Sequence, residues 1–145
     1  MGQAGGRPDA RPSVQYPLNS TRRSNFPASA ASQESIIFDS GQLFSHTDWD
    51  AIEATEHAGV TGRALWRTKQ LGGLRLRMVD YSAGYLADHW CERGHVLLVL
   101  EGSLATELRD GSVVQLVAGQ SYEVANNVDP HRSSTTTGAR LFIVD

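Results

Sequence analysis

GYLADHWCERGHVLLVLEG, residues 84–102, carries three side chains able to bind a metal, His89, Cys91 and His95, within seven positions and closes on a glycine. Side chains alternate faces along a strand, so a strand over residues 86–91 is expected to project His89 and Cys91 to one side. Glu92-Arg93-Gly94 predicts a tight reversal. His95 then opens an apolar run, residues 96–100, expected to lie antiparallel beside the first strand. Two imidazoles and a thiol would then converge inside a sheet, and a metal ion is the simplest reason to gather them there.

The chain on either side reads as more strand. Downstream, Glu101-Gly102 is expected to turn into a strand over 104–109, and Asp110-Gly111 is a hairpin signal into Val113–Val117. A strand over 122–125 follows Gly119, residues 126–130 form a polar loop, and strands over 131–134 and 139–144 close the domain. Upstream, residues 64–69 make one strand. Residues 74–80 alternate Leu74, Leu76 and Met78 against Arg75, Arg77 and Val79, the pattern of a half-buried strand. Residues 48–56 predict a short helix capped by Thr47 or Asp48. Before it, apolar pieces at 36–38 and 43–44 flank a turn at 39–41. Many short strands, and no helix long enough for a parallel crossover, predict an all-β antiparallel barrel or sandwich.

Composition narrows the function classes. Residues 1–34 are rich in Gly, Pro, Ser, Ala and Arg, with Asp9 the one acidic residue before Glu34, and read as a disordered tail ahead of a single domain over 35–145. An Arg-rich transit leader would need an amphipathic helix, which Pro8, Pro12, Pro17 and Pro27 oppose. Gly2 fails as a myristoylation site because position 6 is Gly6. A net charge of -3 without a basic, aromatic-interleaved patch argues against a nucleic-acid partner. One cysteine excludes an intramolecular disulfide and fits a reducing, cytoplasmic setting. No apolar run approaches the roughly 18 residues of a membrane span.

The motifs resemble those of the cupin superfamily, whose first reads G-x5-H-x-H-x(3,4)-E-x6-G and second G-x5-P-x-G-x2-H-x3-N. Here four residues rather than five stand between Gly84 and His89. His89-x-Cys91 stands at the H-x-H place, His95 at the glutamate, and Gly102 at the closing glycine. In the second motif Gly119 matches, Ala125 takes the proline place, Asn127 the second glycine place, and His131 follows one residue late. The resemblance covers about residues 62–145. More closely, Asp88-His89-Trp90-Cys91, WRTKQ at 66–70 and PHRSSTTTGARLFIVD at 130–145 are similar to a small single-domain cupin group named for its DHCW motif, with the last two letters transposed.

That resemblance implies a double-stranded β-helix barrel with a ligand set of His89, Cys91, His95 and His131. Nitrogen and sulfur donors favour Zn, Fe(II), Ni or Cu over Mg, Ca or Mn. All four together suit tetrahedral zinc, at about 2.0–2.1 Å to nitrogen and about 2.3 Å to sulfur. With Cys91 packed away instead, three histidines would leave open positions. Both arrangements stay open on the sequence. Asp88 and Trp90 fall on the opposite strand face. Tyr122 either donates to a pocket ligand or fills the core, and Glu56 and His57 sit in a loop able to cover the barrel mouth. Arg75 and Arg77 share a face read as solvated, the alternative being a grip on an anion. The expected protein is a metal-binding cupin with a pocket for a small molecule: a metalloenzyme of oxygenase, isomerase or hydrolase type, or a non-enzymatic binding module with a structural metal. A homodimer is expected, formed by an added edge strand from residues 36–38 and 43–44.

Overall fold

Period-two burial organises the structure, a computed structural model that describes residues 44–145. Eight strands form: β1 (Thr55–Ala58), β2 (Arg63–Leu71), β3 (Leu74–Tyr81), β4 (His95–Leu108), β5 (Val113–Val117), β6 (Ser121–Val124), β7 (His131–Ser134) and β8 (Ala139–Val144). Every pairing is antiparallel, along the path β1-β2-β3-β8-β4-β5, with β6 and β7 also laid on β4. Alternate residues point inward, so Leu97 and Val99 on β4 meet Leu141 and Ile143 on β8, and Val79 on β3, in one core. Burying each such side chain contributes about 1.5–3 kcal/mol.

The strand β4 belongs to both layers. Its first half pairs with β6 and β8, and its second half with β5 and β7. The expected turn at Glu101-Gly102 is instead a bend within one strand of 14 residues, marked by a register shift between Val99 and Glu101. Gly102 has φ 76°, and a Cβ there would stand 2.1 Å from the Gly138 carbonyl oxygen. Only glycine fits both conditions. The Asp110-Gly111 hairpin forms as read, with Ser112 N–H donating to Asp110 Oδ1 at 2.8 Å.

Three expectations are corrected. Residues 48–56 are not a helix: Ile52 N–H closes one turn onto the Trp49 carbonyl, and Thr55–Ala58 pair with β2. A helix of that length is marginal alone, and sheet pairing outweighs it. Residues 86–91 are not a regular strand. Isolated bridges hold Leu86 and Cys91, with a bend at Asp88 and His89 between them. On β3 the inward face is Arg77 and Val79, while Leu76 and Met78 face the other way. There Met78 pairs with Phe142, and Trp49 meets the Phe142 ring edge-on at 5.8 Å.

The expected tail over 1–34, the domain start at 35, the segments at 36–38 and Leu43 and the turn at 39–41 lie outside the described residues. So does most of the expected dimer edge; Phe44 is 98% exposed. No helix among the described residues is long and apolar enough to cross a membrane.

Candidate metal centre

Two loops and two strands bring the site together. Cys91 and His131 are direct antiparallel partners, and side chains so opposed project to the same side. His95 begins β4 opposite Val124 of β6. Residues 92–94, between Cys91 and His95, are pinned to the loop preceding β7. Gly94 N–H donates to Asn126 Oδ1 at 2.7 Å, and Asn127 N–H donates to the Glu92 carbonyl at 2.8 Å. A side chain on Gly94 would meet the Asn126 nitrogen at 2.6 Å. Asn127 itself has φ 57°, a left-handed conformation that asparagine tolerates better than most residues.

Cys91, His95 and His131 each offer a ligand atom, all within 4.8 Å of one another. Both rings are oriented from behind. His95 Nδ1 lies 2.9 Å from the Arg93 carbonyl, and His131 Nδ1 lies 2.9 Å from that of Asp129. A ring N–H donated to a carbonyl leaves Nε2 as the free lone pair, the way metal-binding histidines are commonly oriented. His131 is 2% exposed, and among the described residues its Nε2 is buried with no hydrogen-bond partner. The Cys91 thiol is held down at about 5, first by the His131 imidazole and then by His95, which outweigh burial. His131 is raised in turn, chiefly by Cys91. Two imidazole nitrogens and a thiolate, one nitrogen buried and unpartnered, fit a transition-metal ion.

His89 does not join this group. The bend at residues 88–89 removes the strand geometry that would have aligned it with Cys91. Its side chain is 66% exposed, and Nδ1 lies 2.6 Å from Asp88 Oδ1. That bond holds the Asp88 carboxyl below its usual range.

The three residues line a cavity of about 70 Å³. Tyr122 lines it too, its hydroxyl 3.0 Å from His95 Nε2 and its ionisation pushed up by burial. His89 is the one exposed residue among those lining the cavity and so marks its mouth. His57 is on β1 rather than in a loop, its ring 4.1 Å from that of Trp66, a cavity residue, without lining the cavity itself. Trp90 is clasped between Arg109 and Arg132, whose guanidinium carbons lie 5.1 and 5.0 Å from its ring centre.

Sequence reasoning missed Trp66, Tyr81 and Tyr85 on the far wall, and preferred a solvated face for Arg77 over a grip on an anion. Arg77 is 7% exposed rather than solvated. The signal available was its parity with Val79, a core residue two positions on.

No family model matches this chain, and no curated protein does. Solved structures do. An RmlC-like cupin from Shewanella frigidimarina is 20% identical over 71% of this chain and 90% of its own, with a TM-score of 0.57. The chain shares the cupin-type barrel fold of this structure. Among other cupin-like neighbours, ectoine synthase from P. lautus aligns with 70% of this chain and 76% of its own at 16% identity and TM-score 0.58. A sugar phosphate isomerase from Silicibacter pomeroyi aligns with 69% and 74% at 17% identity and TM-score 0.56. In this chain, the Cys91–His95–His131 group and the cavity it lines lie within the barrel.

Proposed function

We propose that this cupin binds a divalent transition metal through Cys91, His95 and His131 and uses the adjoining cavity for a small molecule. The clustering of the Cys91, His95 and His131 ligand atoms within 4.8 Å of one another, with both imidazoles oriented by carbonyls, carries the reading. The nitrogen and sulfur donor set favours Zn, Fe(II), Ni or Cu. Three protein ligands leave a position open, as catalytic sites do and closed structural sites do not. A metal there would supply Lewis acidity to an oxygen-bearing substrate.

The chain's own residues provide the rest. The Arg93 and Asp129 carbonyls hold the two imidazoles in their tautomers. The Tyr122 hydroxyl rests on His95 Nε2 and lines the cavity, a donor available for orienting a bound molecule. His89, at the mouth with Asp88 behind it, is placed to exchange protons with whatever enters. The Asp88–Cys91 run supports membership of the DHCW-motif group, and a lone depressed thiol suits a reducing cytoplasm.

Elemental analysis of protein purified without an affinity tag tests the reading. Near one equivalent of Zn, Fe, Ni or Cu is expected, and most of it lost in His131→Ala with the fold retained by circular dichroism. Traces of all four metals in the unmodified protein, and no uptake of added zinc, would reject it.

A further inference from the structure

The wall formed by β2 and β3 carries a charge that the metal centre does not use. Arg77 lines the cavity and is 7% exposed. A guanidinium so covered needs acceptors around its whole edge. Among the described residues it has one ionic partner, Asp145, with Nη2 3.0 Å from Oδ2. That carboxylate is shared: Arg75 binds both of its oxygens, with Nε 2.8 Å from Oδ1, and Arg93 Nε lies 3.9 Å from Oδ2. Three guanidiniums thus draw on one carboxylate. Among the described residues, Arg77 Nε is left buried with no partner. The guanidinium lies over the Trp66 ring at 4.7 Å, and Trp66 Nε1, on another residue lining the same cavity, is likewise buried and unpartnered.

Two neighbouring buried N–H donors, one on a guanidinium whose counter-charge is shared, call for a small anion with two acceptor oxygens. Apolar Ala87, Leu97 and Ile143 also line the cavity and suit a short alkyl chain. At about 70 Å³ the cavity limits the guest. One water-sized probe takes roughly 10–15 Å³, so an acid of about two to four carbons fills the space. We propose that the cavity is a receptor for a short-chain monocarboxylate, its two oxygens accepting from Arg77 Nε and Trp66 Nε1. This rests on the reading of the cavity as a small-molecule pocket and names the class of molecule.

The test titrates propionate into the full chain by calorimetry, once after chelator treatment and once loaded with zinc. Saturable one-to-one binding is expected in at least one form, with propionamide at least about tenfold weaker, because a hydrogen bond to a charged group is lost. Trp66→Phe keeps the ring under Arg77 but removes the N–H, and should weaken propionate about tenfold without changing zinc stoichiometry. Arg77→Lys should weaken it further. If that variant fails to fold, the Trp66→Phe result decides. Equal binding of propionate and propionamide, preference for inorganic phosphate, or no propionate binding in either form overturns the proposal. Propionate binding without zinc uptake would sink the metal reading and leave the carboxylate receptor standing, and zinc uptake without propionate binding would do the reverse.

Discussion

Cys91 and His131 exchange both backbone hydrogen bonds, N–H to carbonyl at 2.8 and 3.0 Å, so a thiol and an imidazole 40 residues apart in the chain are held face to face. The pairing does not depend on either side chain. Changing one of them therefore removes a ligand without removing the contact that joins the two loops.

The thiol should be reactive in the metal-free protein. It is held at about 5 against an ordinary 9.0, chiefly by His131. The rate of alkylation by iodoacetamide after chelation should rise through a midpoint near pH 5 and be flat by pH 7, since the thiolate is the nucleophile. His131→Ala should move the midpoint upward, and added zinc should suppress the reaction. A midpoint near the free-cysteine value in the unmodified protein would contradict this.

Tyr122→Phe separates packing from ligation. The hydroxyl competes for His95 Nε2, 3.0 Å away. Removing it should cost about 0.5–1.5 kcal/mol of apoprotein stability. Metal stoichiometry should be unchanged and zinc affinity equal or higher, as read by competition with a chromogenic chelator.

Acid should weaken the fold through Asp145. Burial pushes its carboxyl up, but the Arg75 hydrogen bond and the charges of Arg77, Arg75 and Arg93 outweigh it, so its folded pKa is lowered. The sign follows: this stabilisation is complete above the ordinary carboxylate value near 3.9 and fades as pH falls through the lower folded value. Asp145→Asn should flatten that acid limb in urea titrations. It should also cost about 3–5 kcal/mol at neutral pH, because Arg77 is left buried without its counter-charge.

Glycine positions should differ sharply. Gly102→Ala places a Cβ against the Gly138 carbonyl at positive φ and should cost about 3 kcal/mol or more, as a clash adds to strain. At Gly72, with φ 56° but open space around it, the same change should cost about 1 kcal/mol. Thermal denaturation of the two variants makes the comparison.

Much of the barrel was legible because its strands carry their own signals. His131–Ser134 and Ala139–Val144 form where the turn residues put them, and Asp110-Gly111 makes its hairpin. What escaped depended on partners distant in sequence. Residues 48–56 look helical, and His57 a loop, until β2 offers Thr55–Ala58 a ladder, and Glu101-Gly102 looks like a turn until two layers need one continuous strand. On β3, leucines and a methionine alternate with arginines, and the obvious polarity puts the wrong face inward. Arg77 goes in because Asp145, 68 residues later, meets it there. In the site, the positions of Cys91, His95 and His131 could be read from motif spacing. That of His89 could not, because period two needs a strand and residues 88–89 bend.

The bend carries a consequence for traffic. With both β-layers sewn onto β4, neither can swing open without tearing the other, so the chamber has fixed walls. Among the described residues, its doorway is the short irregular passage at Asp88 and His89, which no ladder restrains. Admission, rather than wall movement, would then set how fast a guest arrives, and a bulkier residue at position 89 would act as a stopper.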